Sequence, residues 1–132
     1  MSQYSPTLLC VDTYEALLNT IAAVLEPFGY RTLTARSLDE AIAVASNHPP
    51  DAVLLEFRLC PGCPPPTGGC AAQILQAVAP LAKVLVWCAD GSCLQNRPPC
   101  AAAIFMKPVE PEKLAACLDN VLGITRDKDK SV

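Results

Sequence analysis

Five short apolar runs alternate along the chain with longer stretches in which apolar residues recur at helical spacing. "TLLCV" (7–11) is the first run, and it stops at Asp12 as a buried strand would. Beyond Thr13, a candidate N-cap, residues Leu17, Ile21, Val24, Leu25 and Phe28 predict an amphipathic helix over 14–27, ended by Gly29. "YRTLTA" (30–35) is a second strand, with the β-branched and aromatic content strands favour. Ser37 and Glu40 form a Ser-x-x-Glu capping box, and Leu38, Ile42 and Val44 carry a second helix to about Asn47. Pro49 and Pro50 then break the chain before "DAVLLE" (51–56), whose unbroken apolar centre calls for cover on both faces. After a Pro/Gly-rich loop, Ala71, Ile74, Leu75 and Val78 describe a third helix from Cys70, closed by Pro80. "KVLVWC" (83–88) is a fourth strand, and the two prolines in "ADGSCLQNRPPC" (89–100) leave room for at most a short helix. "AAIFM" (102–106) is the fifth strand. Leu114, Cys117, Leu118, Val121 and Leu122 define the last helix, with Pro111 near its first turn.

A strand followed by a helix, five times over, implies a parallel sheet with helices on both faces, because parallel neighbours need crossover connections. The fold class is therefore a single doubly wound α/β domain over residues 1–123, with a flexible polar tail at 124–132. Composition agrees: 132 residues with 52% hydrophobic content and 17% charged residues describe a chain that buries a real core. A net charge of −3 lacks the basic face that nucleic acid requires. There is neither a signal-like N-terminus nor an apolar stretch long enough to span a bilayer, so no membrane partner and a cytoplasmic location are expected. In that compartment the eight cysteines would be kept reduced.

In an open α/β sheet the working residues gather at the carboxyl ends of the strands, here Asp12, Glu56, Cys88 and Lys107. Together with "LLCVD" (8–12), "PPDAVLLEFRL" (49–59), "KVLVWCAD" (83–90) and "IFMKPVEPEKL" (104–114), these ends make the chain resemble the receiver domain of two-component response regulators across roughly residues 7–122. The resemblance implies a five-stranded, flavodoxin-like sheet in the order 2-1-3-4-5 and a role in bacterial signal transduction. In that family an aspartate on the third strand accepts a phosphoryl group from a histidine kinase. An acidic pair after the first strand helps to hold Mg²⁺, a Ser or Thr after the fourth contacts the phosphoryl group, and a lysine after the fifth pairs with it. Carried onto this chain, Asp12 matches the first acid, Thr13 stands where the second is usual, Glu56 occupies the phosphoacceptor position, Cys88 replaces the hydroxyl residue and Lys107 is retained.

Those changes describe a degenerate, non-enzymatic receiver. Hard Mg²⁺ needs near-octahedral oxygen ligands, and Thr13 supplies no charge, so Mg²⁺ binding is expected to be weakened or lost. Glu56 carries its carboxylate about 1 Å further out than aspartate would, enough to spoil in-line transfer. Cys88 is a poor hydrogen-bond donor to a phosphoryl oxygen. What remains open to Glu56 is an ion pair with Lys107, read either as a mimic of the phosphorylated state or as simple pairing of a drifted residue. The family's switch aromatic falls on Ile104, with Phe105 one place later, and Pro98 and Pro99 disrupt a shortened fourth helix. The resemblance points to a signalling partner, a histidine kinase or a downstream effector, or to self-association, through the face made by helix 4, strand 5 and helix 5.

The cysteines offer an alternative of another class. Cys60 and Cys63 are spaced C-x-x-C, Cys70 follows, and Cys93 or Cys100 lies after the fourth strand, so four thiolates could hold Zn²⁺ or an iron–sulfur cluster. Reversible disulfide chemistry is a further option, although "CPGC" is followed by three prolines and lacks the helix N-terminus that lowers a thiol pKa. Against both stands the reading of Cys10, Cys88 and Cys117 as small buried hydrophobes and the loop thiols as incidental. His48, the sole histidine, falls at a helix-to-strand turn on the opposite pole from Lys107 and reads as a surface residue. No Ser-His-Asp arrangement and no glycine-rich phosphate loop after the first strand is present. Trp87 reads as core packing beside the site.

Overall fold

A computed structural model describes residues 5–57, 59, 69–89, 91–95, 100–107 and 109–125, with backbone only at 69, 70, 92 and 93. Strands β1 (Thr7–Val11), β2 (Arg31–Ala35), β3 (Ala52–Glu56), β4 (Lys83–Cys88) and β5 (Ala101–Met106) pair in parallel in the order β2-β1-β3-β4-β5. Helices α1 (Glu15–Leu25), α2 (Leu38–Asn47), α3 (Gly69–Val78), α4 (Ser92–Gln95) and α5 (Pro111–Leu122) follow the strands in turn. The expected doubly wound architecture and strand order are both present.

Alternation along each strand divides the core in two. Leu9, Val11, Val53, Leu55, Val84 and Val86 face one way and pack with Ala41, Ala45, Ala72 and Leu75 of α2 and α3. Leu8, Cys10, Leu54, Leu85 and Trp87 face the other way, against Leu18 and Ile21 of α1 and Leu114 and Leu118 of α5. This two-sided cover is why β1, β3 and β4 are apolar without interruption. The β4 to β5 register slips once: Val84 pairs Ala101, but Leu85 pairs Ala103, so Ala102 is an extra residue on β5. The slip inverts the count beyond it, placing Ala101 and Ile104 with the first cluster and Ala103 and Phe105 with the second.

Several ends differ from expectation. Thr13 is not the N-cap of α1; that position is Tyr14, whose backbone N–H is received by Asp12 Oδ1 at 3.1 Å. The helix ends at Leu25, two residues before Pro27, and a 3₁₀ turn (Glu26–Phe28) runs on to Gly29, whose φ of 89° is the left-handed geometry that a residue without Cβ accepts freely. At α2 the Ser37 hydroxyl accepts from the Glu40 N–H at 3.1 Å, as a capping box requires. The Glu40 carboxylate, however, reaches Arg36 N at 2.8 Å, one residue further out than the usual reciprocal bond. The described part of α4 is a single turn, followed by residues 96–99 outside the described set, so the two prolines expected to disrupt it fall there. Gly123 closes α5 in a left-handed conformation, and the Ile124 N–H returns to Asp119 O at 2.8 Å. Among the described residues no helix is long and apolar enough to cross a membrane.

Candidate functional site

Four strand ends converge at the carboxyl pole of the sheet. Asp12 follows β1 directly and its backbone N–H is held by Ala35 O at 3.1 Å; Glu56 closes β3, Cys88 closes β4, and Lys107 comes straight after β5. Two backbone bonds fasten the ends of β3 and β5 to β4: Phe57 N donates to Trp87 O, and Lys107 N to Cys88 O, each at 2.9 Å. The parallel ladder thus brings residues 95 positions apart in sequence into one cluster.

At its centre lies the Lys107 ammonium, which donates to Asp12 Oδ2 at 2.6 Å and to Glu56 Oε1. All three side chains are largely withdrawn from solvent, with exposures of 18% for Lys107, 3% for Asp12 and 13% for Glu56. Burial works to lower the Lys107 pKa, yet the hydrogen bonds and negative charges of Asp12 and Glu56 outweigh it and hold the amine above its ordinary value of 10.5. Beneath the ammonium, 4.9 Å away, is the centre of the Trp87 ring. That ring is buried, and its indole N–H has no hydrogen-bond partner among the described residues. The expected Glu56 and Lys107 pair is therefore one half of a bridge. Two parts of the arrangement escaped the sequence reading: Asp12 as second acceptor, and the ring of Trp87 as floor.

The other site candidates are placed as follows. Thr13 is exposed beside Asp12, and Cys88 is fully buried and disulfide-bonded. Cys10, Cys100 and Cys117 are free thiols. Cys60 and Cys63, and the side chains of Cys70 and Cys93, lie outside the described residues. Among the described residues no group of three or more His, Cys, Asp and Glu could hold a metal ion. His48 is exposed at the end of α2, on the opposite pole.

With fold and geometry in view, solved structures supply the comparison. A response regulator receiver domain protein from Clostridium thermocellum superposes with a TM-score of 0.75 at 22% identity, over 89% of this chain and 94% of that one. The chain has the receiver-domain fold. A CheY-like receiver protein from Methanospirillum hungatei JF-1 matches this fold at TM-score 0.74 and 22% identity, over 98% of this chain and 100% of the other. The Vibrio cholerae chemotaxis protein CheY4 does so at TM-score 0.74 and 21% identity, covering 89% and 99%. No protein-family model matches the sequence, and no curated protein matches it in a sequence search. In the receiver fold Asp12, Glu56 and Lys107 occupy the pole at which α/β sheets of this kind place their sites.

A pH dependence follows from the interior thiol next to this cluster. Burial, reinforced by the charge of Asp12, pushes the Cys10 pKa well above its ordinary 9.0, so the folded chain keeps a proton that the unfolded chain loses. Stability from this source is complete below pH 9 and falls as pH rises past it, by about 1.4 kcal/mol per pH unit for one proton. Burial raises Cys117 in the same direction, and Lys107 adds its own loss only above 10.5. The urea midpoint is expected to stay level between neutral pH and 9, then to decline, with the early part of the decline flattened in Cys10→Ala. A level curve to pH 10.5 in the parent chain would contradict this assignment.

Proposed function

We infer that this chain is an atypical response-regulator receiver that signals by protein–protein contact without aspartyl phosphorylation. The single observation that carries the reading is the Lys107 ammonium bridging Asp12 and Glu56. A divalent cation between these strand ends would need their inward oxygens for itself, and Thr13 offers no second charge. The residues present do not fit Mg²⁺. Glu56, longer than aspartate, has its carboxylate already engaged by the lysine that in phosphorylatable receivers meets the phosphoryl group. The bridge substitutes a permanent ion pair for a transient phosphate.

Support for the signalling part comes from the receiver fold and from solved likenesses that include response regulator receivers and a chemotaxis protein. A contact surface is available next to the bridge: Leu94 on α4 is 57% exposed and Met106 at the end of β5 is 39% exposed. A signalling protein, a kinase or an effector, or a second copy of the chain would meet this α4–β5–α5 face. The role is that of a binding module rather than an enzyme.

Incubation with acetyl phosphate and Mg²⁺ tests the reading by intact-protein mass. The expected result is no added phosphoryl group at any Mg²⁺ concentration that labels an ordinary receiver treated in parallel. A stoichiometric phosphoryl adduct, on Glu56 or elsewhere, would overturn it.

A further inference from the structure

A helix that covers a sheet ordinarily turns charged residues to water. α3 departs from that rule, because the sequence holds no charged residue between Arg58 and Lys83. Ala71, Ala72 and Leu75 lie on the sheet, whereas Ile74 on the other side of the helix is 39% exposed. Leu81, in the turn that follows, is 94% exposed. That turn is firmly built: the Gln76 side-chain amide donates to Pro80 O at 3.2 Å and to Ala82 O at 2.8 Å, and the Ala82 N–H donates to Ala79 O at 3.0 Å. Leu81 is thus held out in water by a fixed turn, next to a second exposed branched side chain, and a contiguous apolar patch of this kind marks a place of contact.

α2 packs beside α3 over the same core, and each returns from the end of one parallel strand to the start of the next. Their C-terminal halves therefore lie together at the pole where the strands begin. That half of α2 is uncharged as well, with Ala43 and Ser46 exposed. Charges stand only at the two ends of this face. At the pole where the strands begin the charge is Lys83, which is exposed; Asp51 beside it is turned inward and receives the Thr7 N–H at 2.7 Å. At the carboxyl pole stand Asp39 and Glu40, exposed in the first turn of α2, while the nearby Arg36 reaches away to Glu15 of α1 at 3.5 Å. A centre depleted of charge within a charged rim is the anatomy of a protein–protein interface.

The sign of the rim charges selects the occupant. A two-fold axis perpendicular to the helices lays this face of one copy against the same face of another with the ends exchanged. Lys83 of each copy then approaches Asp39 and Glu40 of the other, and the uncharged centre meets itself without opposing like charges. We propose that the α2–α3 face is the seat of a symmetric dimer of this chain, with Ile74 and Leu81 at its core. Two helices of ten residues, each about 15 Å long, make an interface at the lower end of the usual sizes. The dimer is accordingly a weak one, with a dissociation constant on the order of 10 μM or above. Seating the second copy here leaves the α4–β5–α5 face to a signalling partner.

The proposal does not rest on how the chain signals: phosphoryl uptake would overturn the preceding reading and leave this one intact. Sedimentation equilibrium of the full chain over a concentration series measures the association, and non-reducing electrophoresis of the same samples reports any covalent dimer. The parent chain should pass from monomer to dimer. Leu81→Glu, at a side chain almost wholly in water, should raise the dissociation constant by more than about tenfold, with far-UV circular dichroism unchanged. Leu94→Glu, on α4, should leave it as it is. Lys83→Glu and Asp39→Lys should each weaken the dimer by about threefold or more, and the two together should restore it, because the two-fold pairs them across the interface. A parent chain still monomeric at about 1 mM, as an apolar partner of another kind on this face would leave it, would overturn the proposal. So would a dimer held by an intermolecular disulfide, one that survives Leu81→Glu or is lost in Leu94→Glu, or a charge exchange that fails to restore association.

Discussion

Lys107→Met is expected to lower the free energy of unfolding by about 3 kcal/mol, the scale on which removing one partner strands a buried charge. The wild-type lysine holds two carboxylates whose side chains are 3% and 13% exposed. Methionine keeps most of the stem but removes the ammonium that lies over Trp87 and bridges Asp12 and Glu56. Like charges left this close without the lysine repel one another. Asp12→Asn separates this account from simple loss of packing. On its own it removes a hydrogen-bonded partner of Lys107 and destabilises; in the Lys107→Met background it relieves repulsion and stabilises. The reversal of sign, read from urea midpoints in a double-mutant cycle, is the deciding result. A Lys107→Met midpoint indistinguishable from the parent's would show that the bridge contributes nothing to folding.

Trp87→Ala is expected to cost about 3 kcal/mol as well, for a different reason. Truncation leaves a cavity among Leu8, Leu85 and Leu114 of the same cluster, a class of change that costs about 3–5 kcal/mol. Loss of the ring beneath Lys107 adds a smaller penalty of about 1 kcal/mol. Opposing both is the removal of an indole N–H that has no partner among the described residues, whose burial costs about 1–3 kcal/mol. The cavity wins, but by less than it would for a well-satisfied tryptophan. Trp87→Phe isolates the opposing contribution, since it deletes the N–H and keeps an aromatic floor; its cost should be about 1 kcal/mol or less. Far-UV circular dichroism gives the midpoints without relying on the lost fluorophore. A Trp87→Phe loss equal to that of Trp87→Ala would mean that the N–H is satisfied after all.

The strands were legible because burial on both faces leaves an unmistakable pattern: "LLCV" and "AVLL" hold no polar residue to mark an outer side. Asp12, Glu56 and Lys107 were legible for a related reason, as the first polar residues at the points where that cover ends. Local competition was harder to read. Thr13 looks like a cap, yet the Asp12 carboxylate, one residue earlier, reaches forward to the Tyr14 N–H, and nothing in the local composition ranks the two. The double attachment of Lys107 depends on how far β1 and β3 both extend relative to β5, a matter of register across the three strand pairings from β1 to β5. Ile104 and Phe105 show the limit most plainly. Counting forward from Ala101 assumes an unbroken alternation, and the single extra residue at Ala102 changes which face Ile104 and Phe105 serve.

That extra residue has a further consequence. β5 is the last strand of the sheet, so among the described residues no further strand lies along its outer side. A regular strand of six residues there would be a ready template on which another extended chain could pair and aggregate. The bulge interrupts the spacing of the backbone groups and twists the margin locally, so an incoming strand cannot stay in register along its length. The same residue that sets the faces of Ile104 and Phe105 thereby breaks the regular spacing along the rim of the sheet.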